Sequence, residues 1–158
     1  MKKIISILLA TLMFATFAFV SVSAAETTPR DEFKTLYSTY TNYYDDEYKP
    51  VYDAYYAKMD KLAKAAKTLE GDKLEDLYLF VTDMKTAKKE FFGNKKTIGT
   101  SREEVRTLRK EMTKAYNKGD FALAYEKCAD LKYAVESRVF ILKQINDMID
   151  TYITENNL

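Results

Sequence analysis

Residues 119–155, GDFALAYEKCADLKYAVESRVFILKQINDMIDTYITE, decide the fold. Apolar side chains recur there at steps of three and four: Phe121, Ala124, Cys128, Leu131, Val135, Leu142, Ile149 and Ile153. This is the 3.6-residue period of one helix face, and Asp120, behind Gly119, supplies an N-cap. On the opposite side Ala134, Ile141 and Met148 repeat every seven residues, flanked by Leu123, Ile145 and Tyr152. A helix on the outside of a small bundle needs only one apolar face. Two faces leave two arrangements. Either this helix is central and covered on both sides, or its second face is exposed and two copies pair along Ile141 and Met148 as a homodimer.

The chain upstream obeys the same period. Gly71, Gly93, Gly99 and Gly119 all fall between periodic stretches, where helix ends favour glycine. Helix 3 is expected to start after Thr100 or Ser101, each followed three residues on by a glutamate, and to bury Val105, Leu108, Met112, Ala115 and Tyr116. Helix 2 is expected to open at Asp72 as N-cap, with the stripe Leu77, Phe80, Met84, Ala87 and Phe91. Helix 1 begins at Thr28 with Pro29 in its first position. Its stripe reads Phe33, Tyr37, Tyr40, Tyr44, Tyr48, Val51, Tyr55, Met59, Leu62, Ala66 and Leu69. These steps keep phase across Pro50, which predicts one long helix kinked there. The alternative is two helices, the second capped by Asp45 or Asp46. Residues 115–134 resemble a tetratricopeptide-repeat hairpin, but the pattern occurs once, and such repeats need neighbours to bury their faces. They read as an ordinary helical hairpin. The expected fold is all-α: an antiparallel bundle of about four helices, with long helices 1 and 4 and a shorter helix 2–helix 3 hairpin between them.

The N-terminus addresses the compartment. Lys2 and Lys3 precede an uncharged apolar run from Ile4 to Val22, and Ser23, Ala24 and Ala25 follow. A positive start, an apolar stretch and small residues before a polar chain make a cleavable signal peptide over residues 1–25. Residues 26–158 then form a single helical domain, secreted or held in the cell envelope, and no later segment is apolar enough to span a membrane. An uncleaved anchor is the competing reading.

The absences narrow the chemistry. The chain has no histidine, which closes imidazole-based zinc sites and the usual Ser-His and Cys-His nucleophile pairs. Its single cysteine, Cys128, lies on the core stripe of helix 4 and reads as a buried thiol. Asp46, Asp53 and Asp60 recur at seven-residue spacing opposite the core stripe of helix 1, where solvent neither raises an acid's pKa nor holds a substrate. The expectation is a non-enzyme without catalytic residues, metal or cofactor.

Two biases remain. Helix 1 carries eight of the 13 tyrosines, most of them on its core stripe, while Tyr43 and Tyr56 point off it as a candidate partner surface. Charge is also segregated. Residues 26–84 are net −5 and residues 119–158 net −3, whereas residues 85–118 hold 11 basic and 4 acidic side chains, net +7. Arg102, Arg106, Arg109, Lys110 and Lys114 of helix 3 join Lys85, Lys88, Lys89, Lys95 and Lys96 from helix 2 and the loop. Such a cluster suits an anionic envelope polymer, an acidic surface or a protein partner, and the exported location argues against nucleic acid. The alternative is internal, with the basic residues paired to the acidic helices beside them. The functional expectation is thus an exported binding protein, or else an envelope holdase-like chaperone or stress-response protein that takes apolar clients.

Overall fold

A computed structural model describes residues 27–93 and 101–158 of the chain, and all regular structure among them is helical. The expected signal peptide lies outside the described residues. The first run, α1, covers residues 29–65: α-helix Pro29–Tyr43, a π-helical turn Tyr44–Tyr48, and α-helix Lys49–Ala65. It is followed by α2 (Gly71–Gly93), α3 (Arg102–Asn117) and α4 (Phe121–Glu155). Among the described residues no helix is long and apolar enough to cross a membrane.

The helix ends follow local chemistry. The Thr28 hydroxyl accepts from the Asp31 amide and donates to the Asp31 carboxylate at 2.6 Å. That bond is the main influence holding the Asp31 carboxyl below its ordinary value. Ser101 caps α3 by accepting from the Glu104 amide at 3.1 Å, and Asp120 caps α4 by accepting from Leu123 at 3.1 Å. Helix α2 opens at Gly71 rather than after Asp72. The Gly71 φ of +58° is left-handed, a geometry that glycine adopts without a Cβ penalty.

Helix α1 passes through Pro50 without a break. Lys49 donates to the Tyr44 carbonyl five residues back, while the backbone on both sides stays right-handed helical. Pro50 has no N–H, and its ring would crowd the Asp46 carbonyl in a regular α-turn. A wider i→i+5 turn placed directly before it relieves that crowding. Asp45 and Asp46 lie inside this turn, so neither caps a second helix.

The strands of contact give each helix a direction. Along α1 and α4 the pairs run in step: Arg30 with Phe121, Glu47 with Lys143, Val51 with Asn146 and Lys58 with Asp150. Those two helices are therefore parallel. Helix α2 runs against them, from Phe80 stacked on Tyr152 to Phe92 beside Arg138. Helix α3 also runs against them, with Arg109 at Tyr40 and Tyr116 at Phe33. The expected helix 2–helix 3 hairpin is thus not formed. The two helices follow one another in the same direction along the α1–α4 pair, and they make no more than marginal contact. At 35 residues, α4 is about 52 Å long, which covers most of the roughly 58 Å that the 23 residues of α2 and the 16 of α3 span in series. Once docked there, their apolar faces are satisfied and neither needs the other.

Two core clusters result. One unites Phe33 and Tyr40 of α1, Val105, Met112 and Ala115 of α3, and the first half of α4. The other unites Tyr55 and Leu62 of α1, Leu77 and Met84 of α2, and Ile141, Leu142, Ile145 and Ile149 of α4. Helix α4 touches every other helix, and the middle of both its apolar faces is buried, while Leu123 on the second face is exposed. Cys128 is fully buried there, and burial pushes its thiol up to about 11. Two residues on the expected stripes sit differently: Tyr37 and Tyr116 flank Phe33 as rim rings and stay substantially exposed.

Candidate functional site

The tyrosines of α1 form a ladder. From Tyr40 through Tyr44, Tyr48 and Tyr52 to Tyr56, successive ring centroids lie 6.2, 5.0, 5.6 and 4.9 Å apart. A step of four overshoots an α-turn by about 40°, so such a ladder should drift around the helix. The π turn at Tyr44–Tyr48 holds more residues per turn and sets the phase back in the middle of the ladder. The rings consequently stay on the side of α1 that faces α2 and α3.

Cations from three helices approach these rings. Lys88 of α2 donates to the Tyr56 hydroxyl at 2.9 Å, and its ammonium lies 4.1 Å from the ring centroids of both Tyr55 and Tyr56. Burial lowers the Lys88 pKa. Arg109 of α3 donates to the Tyr40 hydroxyl at 3.1 Å. Arg138 of α4 is only 8 % exposed and packs its guanidinium 5.2 Å from the Phe92 ring. Burial raises the Tyr48 phenol, and the Arg138 charge is the chief influence opposing that rise. Tyr52 is also raised, first through its 3.1 Å hydroxyl contact with Tyr56 and then through burial.

Between the second half of α1 and α2 lies an open cleft of about 1030 Å³. Its described lining includes Tyr52, Tyr55, Tyr56, Met59, Ala63 and Val81, with Lys85, Lys88, Lys89, Arg102 and Arg138 at one end. A second cleft of about 910 Å³ continues past Tyr48 and Phe92 to Arg106 and Arg109. Two carboxylates, Asp60 and Glu103, line the pair of clefts, and Asp60 is bound by Lys64 at 2.7 Å.

The basic residues expected from the sequence divide accordingly. Lys85, Lys89, Arg102, Arg106, Lys110 and Lys114 are exposed. Among the described residues, none of them makes an ion pair; the salt bridges that join helices are Lys58–Asp150 and Lys143–Glu47, both on the α1–α4 seam. Lys88 and Arg109 are turned onto tyrosines instead. Lys95 and Lys96 lie outside the described residues. Tyr56 is half exposed, whereas Tyr43 is half-buried against the first core cluster with Lys132 nearby. Ile141 is 1 % exposed, inside the second cluster, and Met148 is half-buried against it. In the single chain Ile141 has no free surface.

Sequence reasoning did not pick out Arg138 or Phe92. Arg138 carried a signal: it lies three residues after Val135 and four before Leu142, on the core stripe. An arginine at such a position must be buried with a partner or mark a cleft. The chain matches no protein-family model, no curated protein and no solved structure.

Proposed function

We propose that this chain is an exported, non-enzymatic binding protein that engages an anionic envelope polymer or surface through the basic face of α2 and α3. One observation carries the reading: the exposed cations of these helices have no carboxylate partner among the described residues, although acidic side chains are abundant on α1 and α4. Internal pairing, the competing account of the charge segregation, would have joined them across the seams. The N-terminal pattern of Lys2, Lys3, an apolar run and small residues supports export and removal of residues 1–25. We also read a bend in α1 at the π turn before Pro50, the setting in which helix axes most often deviate.

The test is retention of the purified protein on an immobilised anionic polymer as salt is raised. Binding that rests on exposed charges weakens steeply with ionic strength. Combining Lys85→Glu, Lys89→Glu, Arg102→Glu and Arg106→Glu should abolish retention at low salt and leave the helical circular-dichroism spectrum unchanged. Arg109 is left out of the set because its guanidinium supports the buried Tyr40 hydroxyl. Unchanged retention would overturn the reading. Salt-insensitive capture of unfolded apolar clients would favour the holdase-like alternative, for which exposed Tyr78 and Leu79 on α2 are the natural surface.

A further inference from the structure

We propose that the cleft between α1 and α2 holds a long-chain fatty acid as its carboxylate. The inference rests on the reading that the cations of α2 and α3 face an anion, and it assigns a ligand to one part of that face.

The cleft is a groove open to solvent between α1 and α2. A space of about 1030 Å³ is the size of a small-molecule site, with mostly apolar walls and a few placed polar groups.

Its polarity is graded along its length. Because α1 and α2 are antiparallel, Ala63 and Ala66 face Val81 at the end near the α1–α2 turn, with the fully buried Leu62 and Leu77 behind them, and Met59 continues that wall. At the other end Tyr48, Tyr52 and Phe92 meet Lys88, Lys89, Arg102 and Arg138. From Ala66 to Tyr48 the groove follows 18 residues of helix, about 27 Å. One end is greasy and the other cationic. An elongated ligand with an apolar tail and one terminal anion matches that gradient, whereas a uniformly charged polymer would leave the apolar end empty.

The tyrosines add the middle section. Tyr56, half exposed, presents ring surface to a chain lying along the groove, and together with the buried Tyr55 it holds the Lys88 ammonium at the cleft. Lys88 and the exposed Arg102 are placed to meet a carboxylate. The Asp60 carboxylate, near the apolar end, is already held by Lys64.

Titration calorimetry with the purified protein tests this using octanoate, dodecanoate and hexadecanoate, kept below their micelle concentrations. Each added methylene buried in the cleft should tighten binding by up to about fourfold. Dodecyltrimethylammonium, with the same tail and the opposite charge, should not bind. Ala63→Trp fills the apolar end from an exposed position on α1, and Thr82→Trp does so from α2. Either variant should lower hexadecanoate affinity at least tenfold while leaving retention on the anionic polymer unchanged. Conversely, Lys110→Glu with Lys114→Glu lies off both clefts and should weaken polymer retention alone. Affinity independent of chain length, equal binding of the cationic amphiphile, or full hexadecanoate binding by both tryptophan variants would each overturn the proposal. None of these outcomes bears on whether the polymer is bound.

Discussion

The two ends of the bundle use the same long helices and pack them differently. At the first end α4 offers the small Ala124, Cys128 and Ala134 alongside Leu131 and Val135, and α3 answers with Val105, Met112 and Ala115. Small side chains on facing helices let the backbones approach, and α3 lies closely along α4. At the second end α4 offers Ile141, Leu142, Ile145 and Ile149, and the backbones of α2 and α4 meet more sparsely. Helix α2 fills part of that wider space with Leu77, Phe80 and Met84. Its Thr82, Lys85 and Lys88 border the cleft that remains against α1. The difference teaches that a cleft can follow from side-chain size and polarity together: bulky residues on the central helix hold a neighbour off, and a neighbour with polar positions on the near side does not close the gap.

The largest effect expected from this comparison is on core truncation. Leu131 and Leu62 are both fully buried, one in each cluster. Leucine-to-alanine changes in such sites cost about 2–5 kcal/mol, and the cost depends on how far the surroundings can relax. Leu131→Ala, in the close-packed end, should fall in the upper part of that range. Leu62→Ala opens beside an existing cleft and should fall in the lower part. Urea denaturation of both variants gives the ranking. Equal losses, or a larger loss for Leu62→Ala, would mean that the second end is packed as tightly as the first.

Much of this architecture was legible in the sequence, and the limits have physical causes. Ser101 and Asp120 announced two helix starts because capping is a local chemistry of one side chain and the amide three residues on. The stripes of α3 and α4 were legible because periodicity fixes which face is buried. Periodicity does not say which neighbour covers that face. The serial arrangement of α2 and α3 therefore escaped, since it depends on the length of α4 and on where each short helix finds room. The π turn escaped as well: Pro50 signalled trouble for an α-helix but not which of several remedies the chain adopts. Within the candidate site, the charge cluster was visible and its detailed use was not. Nothing in the spacing of Lys88 or Arg109 distinguishes a cation turned onto a tyrosine from one in solvent.

An intermediate effect should appear in alkali. Burial raises the phenols of Tyr40 in the first end and Tyr55 in the second, and Tyr152, also desolvated, is pushed up to about 12, with its hydrogen bond to Asp76 adding to the rise. A phenol that holds its proton more tightly in the folded chain contributes stability in full below the ordinary tyrosine value. That contribution is lost as pH rises through the folded value. Helicity followed by circular dichroism should therefore fall as pH rises above 10, and phenolate absorbance should show a fraction of the tyrosines titrating late, together with unfolding. Tyr152→Phe should remove part of the late titration and delay the loss at the second end. Uniform titration near 10 with unchanged helicity would contradict the burial of these rings.

The smallest expected effect lies where the two ends meet. Glu47, inside the π turn, accepts from Lys143 of α4 at 2.8 Å, and both side chains are about half exposed. The pair marks the register of α1 on α4 at the boundary between the clusters. An ion pair this wet gains little Coulomb energy and loses side-chain entropy, so a coupling of about 0.2–1 kcal/mol is expected. A double-mutant cycle with Glu47→Gln and Lys143→Gln measures it, and repeating the cycle in 1 M salt should bring it close to zero, because the screening length there is only about 3 Å. A weak, screened coupling fits two ends whose packing is set within each cluster. A coupling above about 2 kcal/mol that survived high salt would exceed anything the solvated geometry explains. It would mean that the waist is a rigid tie, so that a change at one end is felt at the other and the two clusters cannot be treated apart.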